Sequence, residues 1–348
     1  MQHSDSVHDS WTYNGQGHLQ NAAGIHPTPP ESSDGVPGFP SLVGLTEELP
    51  TPAPYDLSAL QNAMQADYPD SQVMSISTSF HPGAHSSESD LIISSSDGVL
   101  FYVHSTIISA TSPAAIPTIL RFSTIPGTGI EEVGIISIPL NAVLLNIIFH
   151  TIYGTSCAQN NPSVDDLIAA VDVLPELGIA PRAIIQPKTP LFTLLLSHAP
   201  MRPLDVFAVA AHHDLAELAS TASSHLLSFP LFNIDDTMAA RIGTSYLKRL
   251  FLLHMMRMEE VKMILAQPPA LHPIRKDCDF ENQKKLSGAW AWGTTCLAWD
   301  LRPDLPTQRI RSVFEPLSEN LTCTECQQML KSRIRDAVRR WASIKTHI

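Results

Sequence analysis

The sequence predicts an α+β protein in which a small sheet with helices around it is followed by an all-helical part. Two observations predict this order. Residues 90–103 read as two short apolar strands joined by an Asp-Gly step, and the apolar residues after Pro139 recur at helical spacing. Residues 1–85 show neither pattern and are rich in Ser, Gly and Pro, which predicts a disordered N-terminal tail.

The first predicted element is a β-hairpin that leads into two short helices. Residues 91–93 and 99–103 are its strands, and Asp97-Gly98 supplies a turn that tolerates a positive φ. Ser105 is placed to cap the first helix. Ser112-Pro113 has the pattern of an N-cap followed by proline at the first helical position, which predicts a second helix directly after it.

A third strand and two longer helices follow. Residues 135–138 are apolar, and Pro139 precedes an amphipathic helical pattern that Gly154 ends. Ser163 begins the next helix with a sequence like a capping box, in which Asp166 stands in place of the usual glutamate.

This order of elements resembles the BTB/POZ domain over residues 86–186. The residues that carry the resemblance are Asp90, Asp97-Gly98, Phe101, Val103-His104, Ile107-Ile108, Ser112-Pro113 and Ile152-Tyr153-Gly154. The resemblance implies a short three-stranded sheet capped by helices, with His104 as a buried structural histidine. Ser105 stands where the family usually has a basic residue, and Ala114-Ala115 stand where it usually has large aromatic residues. These departures weaken the transfer of the charged central pocket that BTB dimers use.

The resemblance also implies a function, which is a protein-interaction module acting as a self-associating scaffold or adaptor. The homodimer surface that it implies is formed by Asp90, Leu91, Ile93, Ile107 and Ile108, whose apolar members would drive association by burial. Family members act as ubiquitin-ligase adaptors or transcriptional regulators. A cullin-type ubiquitin ligase or transcriptional proteins are therefore the implied partners.

Residues 187–270 are predicted to be all-helical. Pro190 and Pro203 are placed to start helices, and Thr244 is placed to cap a long helix over residues 245–267. Residues 203–231 resemble the helical extension that follows the BTB domain in many fungal proteins.

Residues 271–348, called the C-terminal segment below, are predicted to form a small core of their own. They contain four of the five tryptophans and four of the five cysteines. A terminal helix over residues 325–344 places Leu330, Ile334, Val338 and Trp341 on one face and basic residues on the other.

Cys323-Thr-Glu-Cys326 has the spacing of a metal-binding pair. Two thiolates so placed can share a tetrahedral zinc ion, and His272 or Cys278, and less plausibly Cys296, would complete the set. Because no second C-x-x-C exists, free thiols in a small core or at a helix start are the favoured alternative. Beyond this candidate structural zinc, no cofactor is predicted.

Charge and motif content limit the other functions. The net charge is −12 and no Lys or Arg precedes Arg121, so nucleic acid is an improbable partner for the chain as a whole. No nucleophile elbow, phosphate-binding loop or paired metal-binding histidines are present, which predicts a non-enzyme.

The expected location is inside the cell, in cytoplasm or nucleus, because the sequence has no secretory signal pattern or membrane-spanning run and its cysteine number is odd. A second hypothesis is a zinc-containing transcriptional regulator that uses the BTB-like part to dimerise.

Overall fold

The computed structural model describes residues 75–121 and 135–348, which belong to one unit, Pro69–Ile348. The predicted tail lies outside the described residues as far as position 74. Within the described ranges, no helix combines the length and the apolar composition needed to cross a membrane.

The sheet has four strands, in the spatial order β1-β3-β2-β4. They are β1 (Ser75–Ile76), β2 (Leu91–Ser94), β3 (Val99–Val103) and β4 (Ile135–Ser137). Strands β2 and β3 form the predicted antiparallel hairpin, whereas β1 runs parallel to β3 and β4 parallel to β2. The prediction of three strands missed β1, because two exposed residues are too short to show a strand period. The sheet therefore takes a strand from residues that were predicted to belong to the disordered tail, and Phe80 from the same stretch is buried.

Five helices follow between residues 105 and 184. They are α1 (Ser105–Thr111), α2 (Ala115–Arg121), α3 (Ala142–Ile152), α4 (Val164–Val173) and α5 (Pro181–Ile184). The hairpin turn is tied to the start of α3, since the Asp97 carboxylate accepts a hydrogen bond from the backbone N–H of Ala142 at 2.8 Å. Gly98 in that turn has φ +80°, as the Asp-Gly step predicts.

The start of α1 differs from the prediction. The residue at the N-cap is His104, and Ser105 is the first helical residue. The capping acceptor is Asp90, whose carboxylate accepts hydrogen bonds from the backbone N–H of Ser105 at 2.7 Å and from the Ser105 hydroxyl. Asp90 therefore has a structural role at the helix start.

The start of α2 also differs. This helix begins at Ala115, so Ser112-Pro113 does not open it. The Ser112 hydroxyl instead donates to the carbonyl of Gly178 at 2.7 Å, because the turn that ends with Gly178 passes close to α2. A Cβ at Gly178 would lie 3.1 Å from the Ala114 carbonyl oxygen, and its φ is +75°.

The capping box of α4 is confirmed. The Ser163 hydroxyl accepts from the Asp166 backbone N–H, and the Asp166 carboxylate accepts from the Ser163 backbone N–H, both at 3.1 Å.

The helical extension consists of α6 (Pro190–His198), α7 (Pro203–His212), α8 (Ala216–Ser223), α9 (Asp236–Ile242) and α10 (Thr244–Ala266). Pro190 and Pro203 start their helices as predicted. Thr244 is the first residue of α10 and not its cap, because Gly243, with φ +78°, occupies the N-cap. One continuous core, the first core, runs from Phe80 through the sheet and these helices to Leu250.

The C-terminal segment contains α11 (Phe280–Ala298), α12 (Thr307–Phe314) and α13 (Thr324–Ala342). Short 3₁₀ turns occupy Ala158–Asn160, Leu174–Leu177, Ser224–Leu226, Leu231–Asn233 and Glu315–Asn320. The C-terminal segment has a hydrophobic core of its own, called the second core below. This core also includes Val261, Ile264 and Leu265 from the last turns of α10. The long helix α10 therefore serves both cores.

Candidate metal centre

Two short pieces of chain bring the predicted ligands together. Cys323 is the N-cap of α13 and Cys326 lies in its first turn, so the C-x-x-C pair sits at a helix start. Cys278 ends a tight turn in which Arg275 and Cys278 exchange backbone hydrogen bonds of 3.0 and 3.2 Å. His272 lies on the chain that enters this turn.

Four ligand atoms converge in this place. The Sγ atoms of Cys278 and Cys326 are 3.7 Å apart, and His272 Nε2 lies 3.4 Å from the Sγ atoms of both Cys323 and Cys326. All four atoms lie within 4.8 Å of one another. Tetrahedral zinc, with bonds of about 2.3 Å to sulfur and about 2.0 Å to nitrogen, separates its ligand atoms by about 3.5–3.8 Å. The cluster can therefore hold a metal ion such as zinc.

The imidazole is oriented for this role by its other nitrogen. His272 Nδ1 lies 2.7 Å from the carbonyl oxygen of Pro273, which can only accept, so Nδ1 carries the proton and Nε2 presents its lone pair to the sulfurs. Gln283 donates to the His272 carbonyl at 2.7 Å. Glu325, between the two cysteines, lies 3.4 Å from Nδ1 and forms an ion pair with Arg275 at 2.7 Å.

Burial distinguishes a structural site from a catalytic one. His272, Cys278 and Cys326 are buried, and Cys323 is partly exposed. Four protein ligands complete a tetrahedral shell, and catalytic zinc sites usually keep one position for water or substrate. This arrangement fits an ion with a structural task, and the partly exposed Cys323 gives it a route of entry.

The thiols differ in acidity. Burial raises the pKa of Cys278, and burial together with the neighbouring thiols raises the pKa of Cys326 to about 12. The backbone N–H of Cys326 at the start of α13 lowers the pKa of Cys323 to about 7. A divalent cation must therefore displace protons from the buried thiols, which makes its affinity depend on pH.

The structure brings His272 and Cys278 together with the C-x-x-C pair, and both were predicted as candidates to complete the ligand set. Cys296 lies on α11 and is not part of the cluster. The other half of the cluster is a histidine and a cysteine six positions apart, and not a second C-x-x-C. That spacing carries no signal of its own in one sequence.

The predicted protein-interaction residues separate into two groups. Ile93 and Ile108 are fully buried in the protein's own core, so they have no apolar surface left to bury against a partner, which corrects the prediction for both. Leu91 and Ile107 are partly exposed, and Asp90 is exposed while capping α1.

His104 is buried, as expected for a structural histidine. Its Nδ1 lies 2.8 Å from the Tyr153 hydroxyl and its Nε2 lies 3.1 Å from the Ser87 carbonyl oxygen. No protein-family model, no curated protein and no solved structure matches this chain.

Proposed function

We propose that this chain is a non-enzymatic protein-interaction protein in which the part resembling a BTB/POZ domain is a self-associating scaffold or adaptor module. The observation that supports the proposal is the order of elements. The β2–β3 hairpin, the α1–α2 pair, β4 and the amphipathic helix α3 follow one another as the resemblance implies.

The surface proposed for self-association is formed by Leu91 and Ile107 beside Asp90. Both apolar side chains pack partly on the first core and keep part of their area exposed. Covering that area removes apolar surface from water, at about 25 cal/mol per Å² before the costs of association.

Light scattering on the full chain tests this surface. Ile107→Asp is expected to lower the mass of the assembly, because it places a charge in the buried contact. Val143→Asp is the matched control, since Val143 is an exposed apolar residue on α3. Equal masses for both variants and the wild type would remove Ile107 from the contact surface.

We also propose that His272, Cys278, Cys323 and Cys326 bind one structural zinc ion. The four ligand atoms at tetrahedral spacing support this. Thiolate and imidazole ligands in a tetrahedral set suit zinc better than calcium or magnesium, which prefer oxygen ligands. The ion would join the start of α13 to the turn at Cys278, some 45 residues earlier in the chain.

Metal analysis of the purified chain tests the zinc site. One zinc per chain is expected for the wild type and a loss of at least tenfold in bound zinc for Cys326→Ser. Cys296→Ser is the matched control, because this cysteine lies outside the cluster on α11. A chain free of every transition metal after expression with added zinc contradicts the proposal.

The charge of the C-terminal segment favours a second candidate function, a zinc-containing transcriptional regulator dimerised by the BTB-like part. The segment holds 13 of the chain's 22 Lys and Arg residues. Binding to a duplex of mixed sequence, with an affinity that falls steeply as salt rises, would favour this candidate. Absence of binding at low salt would exclude it.

A further inference from the structure

The helix α10 exposes a row of large apolar side chains on the side that faces away from both cores. Phe251, Leu252, Met255, Met256 and Met263 are 43%, 52%, 61%, 37% and 60% exposed. Single exposed apolar residues are ordinary, but Phe251, Leu252, Met255 and Met256 are neighbours on one side of the helix, and Met263 follows on the same side beyond Glu259. Such a patch usually marks a contact surface.

The patch follows the helix axis. At 100° per residue, Leu252, Met256 and Met263 fall within about 40° of one another around the helix, with Met255 on one flank. The opposite side of α10 carries the buried residues, among them Leu250, Leu253 and Val261. The helix is therefore apolar on two sides, and its own chain covers one of them.

A cleft of about 480 Å³ opens beside the patch, between α9 and α10. It is lined by Ala239, Thr244, Leu247, Lys248, Phe251 and Leu252. Methionine and leucine side chains adapt their shape to a partner, so the patch and its cleft can receive another helix.

The charges along α10 indicate which helix can pack on this patch. Lys248 and Arg249 precede the apolar centre, and Glu259 and Glu260 follow it. Lys262, three positions after Glu259, forms an exposed ion pair with it at 2.8 Å. Within the described part of the chain, Lys248 and Glu260 form no ion pair, and all four side chains are exposed. A parallel copy of the helix would place like charges side by side, whereas an antiparallel copy places opposite charges together.

We propose that the occupant of this patch is α10 of a second copy of the chain, packed antiparallel about a two-fold axis near residue 254. That axis sets Leu252 against Met256 of the other copy. It also brings Lys248 near Glu259 and Arg249 near Glu260 of the other copy, each pair on the same flank of the contact. The symmetry repeats every pair, as an isologous interface requires.

The contact is distinct from the surface proposed above, since α10 lies in the helical extension and Leu91 and Ile107 lie in the sheet-containing part. Two separate self-contacts on one chain build assemblies larger than a dimer. The experiment therefore carries Ile107→Asp in every protein, so that α10 is tested alone.

Two charge-reversed proteins provide the test. One carries Lys248→Glu with Arg249→Glu, and the other carries Glu259→Lys with Glu260→Lys. Each faces only like charges in a copy of itself, so each is expected to be a monomer by light scattering at roughly 50 µM, where the parent is a dimer. An equimolar mixture of the two restores opposite charges at every position and is expected to return to the dimer mass.

Lys284→Glu with Lys285→Glu on α11 is the matched control and is expected to leave the dimer unchanged. A monomeric parent overturns the proposal, as does a reversed protein that still dimerises or a mixture that stays monomeric. Circular dichroism of each protein shows whether it is folded. Because the Ile107 surface is absent throughout, these outcomes are independent of whether that surface associates.

Discussion

The first core and the second core differ in what holds them together. In the first core, Phe80, Phe101 and Phe149 pack with ring centroids 5.4–6.2 Å apart, and the apolar cluster continues through the helical extension. In the second core, two buried guanidinium groups lie over tryptophan rings, Arg257 over Trp341 and Arg333 over Trp290.

The two buried arginines link α10 to the C-terminal segment by hydrogen bonds. Arg257 on α10 donates to the carbonyls of Pro303, Ile344 and Lys345 at 2.6–3.0 Å, and Arg333 on α13 donates to carbonyls at the end of α10. Small domains bury a smaller fraction of their surface and often add a metal or a disulfide. The Cys₃His cluster lies in the smaller of the two cores. A bound metal ion would add more to the stability of this core than to that of the larger one.

Removal of the proposed zinc ion is expected to produce the largest difference between the two cores. Structural zinc contributes on the order of 10 kcal/mol in small zinc-finger peptides, so a strong chelator should loosen the C-terminal segment and leave the first core folded. Four of the five tryptophans lie in this segment, and Trp290 and Trp341 are buried. Their fluorescence should shift to longer wavelength while most of the helical circular dichroism remains.

Readdition of zinc should reverse the shift, and Cys326→Ser should show the shifted spectrum without chelator. A fluorescence spectrum that chelation does not change would mean that the second core stays folded without a metal ion.

The converse change is Phe149→Ala in the first core. Phe149 is 1% exposed and contacts the rings of Phe80 and Phe101, so its truncation leaves a cavity and should cost about 3–5 kcal/mol of unfolding free energy. Urea denaturation followed by circular dichroism measures the loss. Bound zinc should stay at the wild-type level, and a parallel loss of zinc would show that the two cores unfold as one.

The parts predicted from sequence are those with local causes. The capping box at Ser163 and the helix starts at Pro190 and Pro203 each depend on a few neighbouring residues, and all three are confirmed. The cap of α1 depends on Asp90, which is 15 residues from its partner Ser105, so a local reading assigned it to the wrong side chain.

The candidate metal centre shows the same difference between local and long-range signals. Cys323 and Cys326 are recognised by their spacing, whereas Cys278 and His272 lie 48 and 51 residues from their thiol partners Cys326 and Cys323, so only the tertiary fold brings them together. Ile93 and Ile108 show why the contact surface was harder to predict. An apolar residue in a strand or helix has the same pattern whether it faces the core or a partner, and only the folded chain shows that these two face the core.

Two glycines of α11 give a sharper test of packing in the second core. A Cβ at Gly293 would overlap the Phe314 ring, which is stacked on Trp290 with centroids 4.2 Å apart. Gly293→Ala should therefore destabilise the segment by about 1–3 kcal/mol. Within residues 75–121 and 135–348, no atom lies within 4 Å of the Cβ position of Gly288, so Gly288→Ala should stabilise the segment by about 0.5–1 kcal/mol through helix propensity. Thermal melts of both variants give opposite shifts if Phe314 packs as described, and shifts of the same sign contradict that packing.

The smallest expected effect is a pH dependence in the first core. His150 is buried against Phe80, its Nδ1 bonds to the Thr155 hydroxyl at 2.7 Å, and its Nε2 has no hydrogen-bond partner among the described residues. Burial, together with the nearby His85, lowers the pKa of His150 below its usual 6.5. Because the folded pKa is the lower one, the unfolded chain takes up the proton first. Stability is therefore full above pH 6.5 and falls as the pH drops toward the folded pKa, by at most about 1.4 kcal/mol per pH unit from one group.

Urea denaturation at pH 7.5 and 5.5 should show this loss in the wild type and a smaller one in His150→Phe, which keeps the aromatic ring and removes the titrating nitrogens. An equal loss in both proteins would assign the dependence to His85 or to other groups of the first core.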